Sequence, residues 1–126
     1  MFNYKQSFGS FSVNDLKKAK NFYQQTLGLD TTETPEGLAI KTSDNMAIFL
    51  YAKENHEPAT FTVFNFKVNN IEEAVDKLTA SGVSFLQYEG ELKTDKKGIM
   101  RGNGPTIAWF ADPAGNILSV IEDPRA

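Results

Sequence analysis

The chain has 126 residues, 40% of them hydrophobic and 23% charged, with a net charge of −3. That suffices for one domain to bury its own core, and the acidic balance argues against general nucleic-acid binding. The absence of cysteine excludes disulfides, zinc–thiolate sites and thiol nucleophiles. The longest apolar run, Met46 to Ala52, falls far short of the roughly 20 residues that span a bilayer. The opening Met1 to Gln6 lacks the apolar core of a secretory signal, so a cytoplasmic protein without membrane contact is expected.

In chain order, residues 8–13 come first, with Phe11 and Val13 alternating with Ser10 and Ser12, a strand pattern. A helix is predicted next, because Leu16, Ala19, Phe22, Tyr23 and Leu27 fall on one stripe. Asn14 is its expected N-cap, and Gly28 stands where it would close. Residues 38–42 and 46–52 read as strands joined by the turn Ser43-Asp44-Asn45, with a fainter strand at 30–33. His56, the one histidine, is expected to be solvent-exposed in the connection that follows.

The second half repeats this order. Phe64, Phe66 and Val68 alternate with Asn65 and Lys67, and Ile71, Ala74, Val75 and Leu78 form a helical stripe. Asn69 with Glu72 has capping-box spacing, and Gly82 takes the closing position. Strands are predicted at 84–88, 106–111 and 116–121, the last two joined by a turn over Asp112-Pro113-Ala114-Gly115. The basic, glycine-rich stretch 96–104 is expected to be an exposed loop, or else a flap whose Arg101 clamps an anionic group.

The repetition is visible in the residues themselves. Val13-Asn14-Asp15-Leu16 and Ala19 are echoed by Val68-Asn69-Asn70-Ile71 and Ala74, each 55 positions on. Two copies of this length indicate a duplicated supersecondary unit, βαβββ twice, and not a solenoid. The expected organisation is a single α+β domain over 1–126, with modules at about 1–58 and 61–126.

With Val13-Asn14-Asp15-Leu16, Ala19, Phe22-Tyr23 and Leu27-Gly28-Leu29 early, and Asp112-Pro113-Ala114-Gly115-Asn116 late, the chain resembles the vicinal oxygen chelate superfamily. That group includes glyoxalase I, bleomycin-resistance proteins and extradiol dioxygenases. The resemblance implies two βαβββ modules whose mixed sheet curls into a cup with helices outside, often completed as a homodimer. It implies little about reaction, because one fold hosts many functions.

The family's enzymes hold a divalent metal in the cup with His and Glu side chains on the first and last strands of each module. The corresponding positions here carry Phe8, Phe49, Val63 and Ser119. Phe and Val donate nothing, and a neutral hydroxyl is a poor metal ligand. No metal or other cofactor and no catalytic residue is therefore expected, with His56 too far from any such strand to substitute.

The resemblance and strand alternation together set a different expectation. Phe8, Phe49, Tyr51 and Trp109 would line the cup with aromatic surface, with Val63 beside them and Ser10, Asn65, Ser119 and Arg101 as polar contacts. Such a lining suits sequestration of an aromatic or antibiotic-like molecule, as in the bleomycin-resistance branch. Two alternatives stand beside it: a metal-dependent lyase or dioxygenase with displaced ligands, and a structural or regulatory dimer whose cup is filled by these rings.

Overall fold

The computed structural model describes residues 1–102 and 104–123. The chain divides between Glu57 and Pro58 into two compact units. Asn103, within the glycine-rich stretch, and the last three residues of the expected second module lie outside the described residues.

The first unit is built from β1 (Gly9–Val13), α1 (Leu16–Lys20), β2 (Asp30–Thr34), β3 (Gly37–Lys41) and β4 (Ala47–Ala52). Its sheet has the order β1-β4-β3-β2, with β1 parallel to β4 and the other pairs antiparallel. Side chains alternate across the sheet as strand geometry requires. Val13, Leu38, Ile40, Ile48 and Leu50 are buried together with Ala19 and Tyr23 from the helical segment. Asp15, not Asn14, caps α1: its backbone is extended and its carboxylate accepts from the N–H groups of Lys17 and Lys18. The helix does not stay α-helical through Leu27. Asn21–Thr26 widens into a π turn, Leu27 N–H donating to Phe22 C=O at 2.9 Å. Phe22 and Tyr23 meet edge to face there, and Tyr23 also contacts Phe11 of β1.

The second unit contains β5 (Thr62–Val68), α2 (Ile71–Ala80), β6 (Ile99–Met100), β7 (Ile107–Ala111) and β8 (Ile117–Glu122). Its sheet runs β5-β8-β7-β6, again with one parallel pair, β5 with β8. Each unit is thus a βαβββ module, and the α+β duplication expected from the repeat is present. Asn70, one residue later than expected, caps α2 by accepting from Glu73 N–H at 3.0 Å. Gly28 and Gly82 follow the two helical segments with φ of 72° and 102°, the left-handed closure predicted for both.

Residues 84–88 do not form the predicted strand. Phe85 makes one isolated bridge to Phe110, and Tyr88 N–H donates instead to Thr94 Oγ1 at 2.9 Å. The outer strand is β6, inside the stretch expected to be an exposed loop. Ile99 and Met100 are buried there and pair with Ala108 and Ile107. Two adjacent apolar side chains with a free ladder edge beside them outweigh the flanking glycines.

The Asp112–Asn116 turn is held from within. One carboxylate oxygen of Asp112 accepts from Ala114 and Asn116 N–H, both at 2.9 Å, and the other accepts from Asn116 Nδ2 at 3.2 Å. Both residues are buried, which explains why the pair brackets the hairpin.

Candidate functional site

In each unit one sheet face packs on the helix, leaving the opposite face open. On the first unit's open face, pairing aligns Ser10, Phe49, Ala39 and Thr32 across all four strands. The neighbouring register brings Ala47, Lys41 and Asp30 side by side on β4, β3 and β2. Small residues at Ala39 and Ala47, between larger ones at the margins, hollow the face. The result is a concavity of about 610 Å³ whose wall includes Phe8 and Phe49. Their rings meet edge to face, 6.5 Å apart at 74°. Phe8 keeps 63% of its surface exposed and Phe49 is half-buried. Ser10 and Tyr51 share this face, but of the residues singled out from the sequence only Phe8 and Phe49 line the concavity.

His56 is not the exposed connector residue expected. A tight turn, with His56 N–H donating to Lys53 C=O, folds it back onto β1. Its Nδ1 lies 2.7 Å from Ser12 Oγ, and the imidazole is half-buried.

On the second unit's open face, Asn65, Ser119 and Trp109 align on β5, β8 and β7, so the hairpin sets Trp109 opposite Ser119 as its turn predicts. Trp109 stacks edge to face against Tyr88 at 5.3 Å. Ser119 is fully buried, and its hydroxyl bonds to Asn65 Oδ1 at 2.5 Å. Its one donor is therefore spent within the sheet. Val63 occupies a bulge in β5 between Thr62, opposite Ile117, and Phe64, opposite Leu118. The strict alternation expected from Asn65 back to Val63 is interrupted there.

Arg101 departs from the clamp expected of it. Its guanidinium bonds to Asp95 Oδ2 at 2.5 Å and lies 3.6 Å from Glu72 Oε1 on α2. The same α2 surface gathers Lys97 against Asp76 at 3.0 Å. This network ties the β6 approach to the helix side of the sheet, away from the open face. The hydrogen bond to Asp76 is the main reason the Lys97 ammonium is held above the usual lysine range.

The positions that the resemblance aligns with the family's metal ligands provide no donor set. Phe8, Phe49 and Val63 carry no ligating atom, and Ser119 is committed to Asn65. Among the described residues, no three His, Cys, Asp or Glu side chains come together. These residues do not fit the family's metal.

Asp30, Lys41, Thr32 and Asn45, all on the wall of the concavity, were not legible as site residues. The strand that carries Asp30 and Thr32 has little apolar character, so its alternation gave no marker of which face is open. Tyr88 was hidden because it lies outside any regular strand.

Comparison with known proteins agrees with this architecture. The profile described as "Glyoxalase/Bleomycin resistance protein/Dioxygenase superfamily" matches residues 8–120. A lactoylglutathione lyase of Shigella flexneri is 27% identical over 123 residues, covering 90% of this chain and 89% of that protein. A bleomycin-binding protein solved in complex with bleomycin superposes with a TM-score of 0.67 at 17% identity, over 95% of this chain and 99% of that one. An antibiotic binding protein from a Streptomyces species gives a TM-score of 0.66 at 20% identity, over 96% and 98% of the two chains. With the repeat, the two βαβββ units and a match across most of its length, the chain belongs to the glyoxalase/bleomycin resistance protein/dioxygenase superfamily.

Proposed function

We propose that this protein binds a small planar aromatic molecule and neither forms nor breaks a bond in it. The observation that carries this reading is the replacement of metal donors by two phenylalanine rings on the wall of an open concavity. Its volume of about 610 Å³ falls in the range of organic-ligand pockets, about 300–1,000 Å³. Phe8 and Phe49 would stack on the ligand, with Ser10 and Tyr51 at hand for polar contacts. On the second unit's face, Trp109, Val63 and Asn65 are assigned the same role, with Ser119 bracing Asn65. Arg101 is assigned to the α2 network. The likeness to proteins that bind bleomycin and other antibiotics makes such compounds the first candidates. A cytoplasmic homodimer completes the reading, as the family resemblance implies, and sedimentation showing only monomer would remove the dimer from it.

A melting-temperature screen against bleomycin, other aromatic antibiotics and aromatic metabolites, followed by calorimetry, tests the proposal. At least one compound is expected to raise the melting temperature saturably, as any ligand specific for the folded state must. No shift across the panel, or a stoichiometric divalent metal in the purified protein, would overturn it.

A further inference from the structure

We propose that the concavity of the first unit selects an amphoteric ligand, with Asp30 receiving its cationic group and Lys41 its anionic group while Phe8 and Phe49 hold the aromatic body. This rests on the reading of that concavity as the ligand seat and adds the chemical class it takes.

Asp30 and Lys41 are direct cross-strand partners on β2 and β3, so their side chains leave the sheet on the same face. Both line the concavity. Opposite charges so placed ordinarily pair with each other, yet among the described residues neither side chain makes an ion pair or a hydrogen bond. The contrast with Glu33, also on β2, is direct. Glu33 points to the helix face and meets Lys20 Nζ at 3.4 Å. On β2, Glu33 is thus paired on the packed side, while Asp30 and its neighbour Lys41 leave one charge of each sign unpaired on the wall of the hollow.

Spacing fits such a ligand. Lys41 pairs with Ala47 on β4, and the register step beyond Ala47 is the Phe8 position at the start of β1. With strands about 4.8 Å apart, the charged pair begins roughly 10 Å from the Phe8 backbone. Phe49 pairs with Ala39, one register row from Lys41, so its ring stands nearer still. A bicyclic aromatic body with a short arm bearing an amine and a carboxylate spans that distance. Asn45, in a left-handed turn at φ 66°, and Thr32 add neutral polar groups on the same wall.

The test uses four naphthalene probes that differ only in charge: 3-(2-naphthyl)alanine, 2-(2-naphthyl)ethylamine, 3-(2-naphthyl)propionic acid and 2-(2-naphthyl)ethanol. Their affinities are measured by calorimetry for the full chain and for Asp30→Asn, Lys41→Gln and Phe49→Ala. The amino acid is expected to bind tightest, each charge contributing up to about fivefold, as exposed ion pairs do. Asp30→Asn should weaken only the two amine-bearing probes, and Lys41→Gln only the two carboxylate-bearing ones. Both side chains are exposed, so unchanged melting temperatures should confirm intact folding. If both variants leave the ranking of probes untouched while Phe49→Ala abolishes binding, the charge assignment is wrong and the ligand seat stands. If no probe binds the wild-type chain, the seat is wrong and the assignment falls with it.

Discussion

The carbonyl oxygen of Leu50 stands where a side chain on Gly37 would begin: a Cβ there would lie 2.1 Å from it. It would also meet the Phe49 ring edge at 3.0 Å. The close approach of β3 to β4 thus depends on a residue without a side chain, and so does the way Phe49 lies over the open face. The ring can shift, but the carbonyl cannot yield cheaply, because it is backbone of the buried residue Leu50. Gly37→Ala should destabilise the first unit by about 3 kcal/mol. Urea unfolding measures this, and a loss below about 0.5 kcal/mol would show that β3 and β4 separate at little cost.

Phe8 should behave in the opposite way. Its ring is mostly exposed, so Phe8→Ala is expected to change stability by no more than about 0.5 kcal/mol. The edge-to-face contact with Phe49 and the stacking surface vanish, however, and an aromatic ligand should bind about two- to tenfold more weakly. Calorimetry with whichever compound the screen identifies, beside a denaturant curve, separates the two effects. Unaltered affinity would remove Phe8 from the ligand seat.

Asp95 gives the second unit a dependence on acid. Burial pushes its carboxyl up, but hydrogen bonds from Ile99 N–H, the Arg101 guanidinium and Lys97 N–H outweigh it and hold the group below its ordinary range. A folded-state value below the unfolded value of about 3.9 means the stabilisation is present above that pH and lost as pH falls through the folded value. With 39% of the side chain exposed, its size should be under about 1 kcal/mol. Asp95→Asn should therefore be less stable than wild type at pH 7, and the gap should close as pH falls through the folded-state value. A gap that stays constant over that fall would mean that charge is not what Asp95 contributes.

The Asp112 turn offers a graded series. Asp112→Ala strands the Ala114 and Asn116 N–H groups and the Asn116 amide in a buried site, at a cost of about 3 kcal/mol. Asp112→Asn keeps an acceptor and should cost roughly a third of that. Denaturant midpoints for the two variants check the order, and equal losses would assign the effect to charge instead of to the hydrogen bonds.

The fold was legible because it is written twice. Val13 and Val68 before the caps, Ala19 and Ala74 inside the helices, and Gly28 and Gly82 after them mark the same unit at two places. What the repeat could not convey lies where tertiary contacts override local pattern. The caps fall on Asp15 and Asn70 because these residues, not the asparagines before them, have the extended backbone that aims an oxygen at the first free N–H groups. The short strand at Ile99–Met100 forms because β7 has an unfilled edge, a fact remote in sequence. The open-face positions of Ser10, Phe49 and Trp109 were expected from alternation and hairpin register only once the resemblance had marked which face is open. Those of Asp30 and Lys41 were not, since only their pairing across β2 and β3 reveals that they belong together. The ion pairs of Arg101 were out of reach for a related reason: its partners Asp95 and Glu72 are 6 and 29 positions earlier in the chain.

The bond between Ser119 and Asn65 has a consequence for any attempt to build a metal site on this scaffold. A glutamate installed at 119 would enter a spot sealed from solvent, filled by a smaller group and facing an amide oxygen already aimed at it. Burying its charge there would cost stability unless Asn65 turned its amide NH2 toward it. Redesign would have to start on the neighbouring strand, clearing Asn65 first, because a strut now stands in the doorway.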